Sequence, residues 1–223
     1  KAAKAGQKTA IGICAMNGLE CPKDPKKAFE IFKAQSDAGD LVALRNLGRC
    51  YEYGFGCQVD KAKAFEMYQK AAEAKDPASL HFLAFAYSEG VGVEVDQAKA
   101  MEIMEQAADA GCLLSRVNLG DRYSKGLGCL KDLASAAEQY TQAAEAGSAE
   151  GMRKLGAAYW GGSGVSLDYS KAHEWYEKAG AAGDGQALAW LGNDYFEGKG
   201  VEKSFTKGEE LWMKAARLDF PSI

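Results

Sequence analysis

The chain has 223 residues and a formal net charge of −4, from 27 Lys and Arg against 31 Asp and Glu, with 47% hydrophobic and 26% charged residues. These proportions belong to a folded chain and exclude a disordered one. An acidic balance without basic blocks argues against a nucleic-acid partner, and no apolar stretch approaches the roughly 20 residues of a membrane-spanning helix.

Four prolines and abundant alanine favour helix, because alanine loses no side-chain entropy in a helix and proline breaks one. The glycines then belong between helices, and their spacing agrees. Gly54/Gly56, Gly90/Gly92, Gly126/Gly128, Gly162/Gly164 and Gly198/Gly200 recur every 36 residues. Leu47, Leu83, Leu119, Leu155 and Leu191 keep the same phase, as do Tyr51, Tyr87, Tyr123, Tyr159 and Tyr195. A fixed period of this size marks an array in which each unit buries its apolar face against its neighbours.

In chain order, the first copy (3–38) is divergent. Gly18-Leu19-Glu20 stands where later copies have Gly-x-Gly, and Ala15 replaces the tyrosine. The Gly6-to-Gly12 interval predicts a short first helix or residues missing before Thr9. Asp24-Pro25 opens its second helix, with proline where a helix start tolerates it. In the copy 39–74, Leu44, Leu47 and Tyr51 predict a helix from Leu41 to Tyr53, which Gly54 ends by taking positive φ. Gly48 inside it predicts a neighbouring helix too close for a side chain. The second helix starts at Asp60, a good N-cap, presents Ala64, Tyr68 and Ala71-Ala72, and closes at Ala74. Copies 75–110, 111–146 and 147–182 repeat this pattern; in 183–218 Ser204 takes the aspartate's slot. Tyr68, Tyr140, Tyr176 and Trp212 are expected in the core. Leu218-Asp219 falls where Ala-Gly is expected, and Phe220-Pro221 interrupts a further helix. Neither end shows a polar capping helix, so the single array over 1–223 is expected to be a fragment of a longer protein.

Leu155, Gly156, Tyr159, Gly162, Gly164, Val165, Asp168, Ala172, Ala182 and Gly183 together resemble the Sel1-like repeat, a relative of the tetratricopeptide repeat. The resemblance covers nearly the whole chain. It implies an all-α fold, a right-handed superhelical α-solenoid of about six 36-residue helix hairpins. It also implies an inner face lined by the first helix of each pair, and a scaffold or adaptor role.

Catalytic chemistry finds little support. None of the Gly-x-Gly pairs continues into a nucleotide loop, and each lies between helices. His81 and His173 sit in different repeats without a nucleophile or metal motif beside them. His173 reads as a surface side chain and His81 as a polar contact on the inner face. No catalytic residue, metal site or cofactor is expected. The spacing of Cys14/Cys21 and Cys50/Cys57 would allow a bridge across each loop. Equally, Cys21, Cys57 and Cys129 occupy the slot that Val93, Val165 and Val201 fill, as small buried thiols. Cys112 and Cys129 lack equivalent partners, which favours reduced thiols and a cytoplasmic location; the start at Lys1 leaves export open.

Arg45, Arg49, Tyr53, His81, Phe85, Asp121, Lys125, Arg153, Trp160, Asn193 and Phe196 fall on one side of the first helices. Aromatics mixed with arginine are types that mark binding surfaces, although the same slots also suit an ordinary solvated face. The leading reading is a non-catalytic scaffold that binds a protein or peptide, acidic or amphipathic, along the concave face. The alternative is a regulatory or positioning arm of a larger enzyme or complex.

Overall fold

The computed structural model describes residues 2–18 and 22–219. Twelve α-helices and no strand occur among them: α1 (Ala2–Asn17), α2 (Pro25–Ser36), α3 (Leu41–Tyr53), α4 (Lys61–Ala72), α5 (Pro77–Glu89), α6 (Gln97–Asp109), α7 (Leu113–Lys125), α8 (Leu133–Glu145), α9 (Ala149–Gly161), α10 (Tyr169–Ala181), α11 (Gly185–Glu197) and α12 (Phe205–Asp219). They form a solenoid of helix hairpins, each odd-numbered helix pairing with the next. The helices group into two compact units, residues 1–112 and 113–223. The first helix is not short: α1 runs for 16 residues. The readings placed on Cys21 and on Phe220-Pro221 lie outside the described residues.

Capping defines the helix ends. Asp24, Asp60, Asp96, Asp132 and Asp168 each accept a backbone N–H in the first turn of the second helix, as expected. The first helices are capped in the same way by Asp40, Asp76, Ser148 and Asp184, a set that the sequence pattern did not single out. A repeated bond then pins each loop: the N–H of the second helix's cap donates to the carbonyl of the tyrosine slot. Asp60 to Tyr51 (2.8 Å) and Asp168 to Tyr159 (3.0 Å) are examples.

The two glycines of the loop have different work. Gly54, Gly90, Gly162 and Gly198 end their helices at φ between 61° and 75°, the left-handed region in which a side chain is strained. The second glycine lies against the preceding repeat. A Cβ on Gly56 would run into the carbonyl of Pro25, on Gly92 into that of Lys61, on Gly164 into that of Leu133. Each of these loops therefore rests on the first turn of the previous second helix. The motif is a packing joint, and backbone fills the space that a phosphate would need.

Inside five of the six hairpins an aromatic ring lies over a glycine. A Cβ on Gly48 would sit 2.5 Å from Tyr68 Cε1, on Gly120 2.5 Å from Tyr140 Cε1, and on Gly12 2.7 Å from Phe32 Cε1. Phe32, Tyr68 and Tyr176 are almost fully buried, each worth roughly 2–3 kcal/mol of apolar burial. In the third hairpin Ala84 replaces the glycine, and the facing residue there is the slimmer Met104. Trp212 departs from the core reading: it covers Gly192, but it is 49% exposed, because no described helix lies over its other face.

Between repeats, rings meet edge to face. Phe29 meets Tyr51 at 5.5 Å, Phe65 meets Tyr87 at 5.3 Å, and His173 meets Tyr195 at 5.4 Å. The first helices of adjacent repeats also touch directly, α1 with α3 and α3 with α5 in the first unit, α7 with α9 in the second.

Candidate functional site

In the first unit, α3 and α5 carry Arg45, Arg49, Tyr53, His81 and Phe85 on the first-helix face. Arg45 is engaged structurally. Its guanidinium donates to the Asp76 carboxylate (2.5 Å) and to Ser79 Oγ (2.9 Å) at the N-terminus of α5. The link is periodic, since Thr9 donates to Asp40 (2.7 Å) and Arg153 to Asp184 (2.9 Å) across the same 31-residue interval. One first helix thus braces the cap of the next. His81 is buried, and burial lowers its pKa; it offers little surface to a partner.

Arg49 is different. It is half-buried and makes no ion pair or hydrogen bond among the described residues. Glu52, one turn on, accepts from the hydroxyl of Tyr68 (2.7 Å) and raises the pKa of Tyr53 beside it. The Tyr68 pKa is raised by burial and then by that bond to Glu52. Tyr53 is 53% exposed and lies 5.7 Å from Phe55. Phe85, in register with Arg49 on α5, packs with Phe82 against the cluster around Tyr68.

In the second unit, Asp121 accepts from the Tyr140 hydroxyl (2.5 Å) and binds Lys154 Nζ through both oxygens (2.7 Å), so it is neutralised within the fold. Phe196 packs inside the last hairpin, 5.0 Å from Trp212. Lys125 is exposed and Asn193 half-buried. Trp160 lies 6.0 Å from Trp190. Phe82 and Trp190 share one repeat slot and stack on the tyrosines behind them, Phe82 on Tyr68 and Trp190 on Tyr176. The sequence reading passed over that slot; two aromatics in the same phase were the signal for it.

His173 is a correction. It is 6% exposed, with Nδ1 3.3 Å from Oδ2 of Asp194, itself 1% exposed. Its slot holds Phe29 and Phe65 in earlier repeats, so phase placed it in an inter-repeat joint despite the charged residues beside it. Among the described residues no cluster of His, Cys, Asp and Glu could hold a metal, and no helix is long and apolar enough to cross a membrane.

The Sel1 repeat family matches residues 9–40, 41–76, 77–112, 114–148, 149–184 and 185–220. The chain belongs to the Sel1 repeat family. A Sel1 repeat protein from Oxalobacter formigenes shares the fold at a TM-score of 0.84 and 31% identity, over 96% of this chain and 87% of that one. The protective antigen c5321 of uropathogenic Escherichia coli aligns at 0.78 and 31% identity, over 96% of this chain and 46% of the antigen, so the present chain spans just under half of it. Immunity protein Pa5087 of Pseudomonas aeruginosa, at 18% identity and a TM-score of 0.69 over 97% of this chain and 82% of that one, shows the fold alone. Among curated proteins none matches the sequence significantly. Sel1 repeat proteins generally mediate protein–protein interaction and generally lack catalysis.

Proposed function

We propose that this Sel1 repeat chain is a non-catalytic scaffold that holds an acidic, partly apolar peptide segment of a partner protein on its first-helix face, with Arg49 as anchor. The carrying observation is the contrast between Arg45 and Arg49. One is matched by Asp76; the other is half-buried beside Tyr53 and in register with Phe85, with no carboxylate of its own. A partly desolvated guanidinium without a partner is costly in the free protein, and a ligand carboxylate removes that cost through a charge-assisted, often bidentate bond. Tyr53 and Phe85 supply apolar area beside it, the arrangement in which a few residues dominate binding. Free thiols at Cys14, Cys50, Cys57, Cys112 and Cys129 support a reducing, cytoplasmic place of action.

Panning a random peptide library on the chain tests the reading. The expected selection is enriched in Asp or Glu next to apolar residues. Arg49→Ala should weaken the selected peptides by about 1–3 kcal/mol, and added salt should weaken them further. Peptides that bind Arg49→Ala and Tyr53→Ala as well as the parent chain would refute it.

A further inference from the structure

We propose that the Trp160–Trp190 surface of the second unit takes a proline-rich segment of the partner in the polyproline II conformation; the proposal rests on the first-helix face being the binding side. Trp190 is 40% exposed, while its ring stacks on Tyr176 at 6.3 Å with only 12° between planes. Trp160 lies 6.0 Å from Trp190, tilted by 53°, and is braced by Tyr169 at 5.9 Å and by Lys199 Nζ 4.3 Å over its ring. Packing already holds both indoles, so little side-chain freedom remains to be lost on binding.

Charge decides which ligand suits these rings. Each neighbouring cation is matched: Arg153 by Asp184 (2.9 Å), Lys154 by Asp121 (2.7 Å), Lys199 by Glu197 (2.6 Å). Nothing here calls for a carboxylate, in contrast to Arg49. The surface favours an uncharged, flat-faced group, and a proline ring is one. A polyproline II segment is ordered before it binds, and its backbone carbonyls are left without internal partners. Asn193, half-buried three residues along α11 from Trp190, shares that helix face and carries two amide N–H donors for such carbonyls.

The test is fluorescence anisotropy of a labelled decaproline peptide with the full chain. Binding should survive a rise in salt to about 0.5 M, since no ion pair is involved. Trp190→Asn should weaken binding about tenfold or more. Asn46 and Asn118 occupy that slot in other repeats, so this variant keeps a residue the array already accepts, and circular dichroism checks its helicity. Trp190→Phe, which restores the residue present as Phe82, should retain most of the affinity, and Arg49→Ala all of it. No decaproline binding by the parent chain, equal binding by Trp190→Asn, or tighter binding of an aliphatic decamer of the same length overturns the proposal. Acidic peptides that still depend on Arg49 in that event leave the scaffold reading standing; loss of both removes the two together.

Discussion

His173 and Asp194 form a joint between α10 and α11 that the array builds elsewhere from apolar residues. Phe65 holds the equivalent of His173 and Ala86 that of Asp194, and Phe65 meets Tyr87 edge to face as His173 meets Tyr195. Phe65 also packs against the core cluster that contains Ala86. His173→Phe leaves a carboxylate 1% exposed without its partner, and stranding a buried charge in this way costs about 3–5 kcal/mol. Asp194→Ala leaves His173 with Glu177, 3.6 Å from Nε2, and a cost of about 1–3 kcal/mol for the lost bond and volume. The double variant recreates the Phe65/Ala86 pair. Replacing a buried polar pair by well-packed apolar residues is often neutral or stabilising, so the double variant should fall within about 1 kcal/mol of the parent or above it. The coupling is then on the order of 5 kcal/mol, well beyond what independent sites show. Urea denaturation followed by helical circular dichroism gives the midpoints, with hydrogen exchange on α10 and α11 reporting local opening. A double variant no more stable than His173→Phe would refute the reasoning: the joint would then depend on shape at these two residues and not on their polar contact.

Gly48→Ala drives a methyl group into Tyr68 and should cost about 1–3 kcal/mol; adding Tyr68→Met, the pairing seen at Ala84 and Met104, should recover much of that midpoint. Burial lowers the His81 pKa below its unfolded value near 6.5. The unfolded chain therefore binds the extra proton first, and the stability His81 contributes is full above that value and declines as pH falls through it. His81→Val, the residue at the equivalent Val117, should flatten that acid limb in denaturation midpoints measured from pH 8 to 5; an unchanged limb would contradict it. The Cys50 thiol, fully buried and pushed up to about 12 chiefly by that burial, should resist iodoacetamide in the native protein and react once unfolded. Mass spectrometry that finds Cys50 labelled as quickly as Cys112 in the native state would overturn this.

Periodicity alone carried the architecture. Leucine, glycine, tyrosine and N-cap residues repeating in phase suffice to place helices, loops and repeat order, because these features depend on local backbone preference and on a face that every copy shares. The same periodicity located the helix-embedded glycines and the close approach they permit. It could not say which inner-face residues are available to a partner. Arg45 and Arg49 look alike in sequence, yet Asp76 lies beside one and no carboxylate binds the other; the difference is set by a residue 31 positions away on another helix. His173 looked solvated because its neighbours in sequence are charged, whereas its neighbours in space are Asp194 and Tyr195. Trp190 gains its floor from Tyr176 and its companion from Trp160 only when successive hairpins stack. Repeat phase is a one-dimensional property and can be read from the chain. Pairing of charges and exposure of rings depend on contacts between repeats, and those exist only in the folded array.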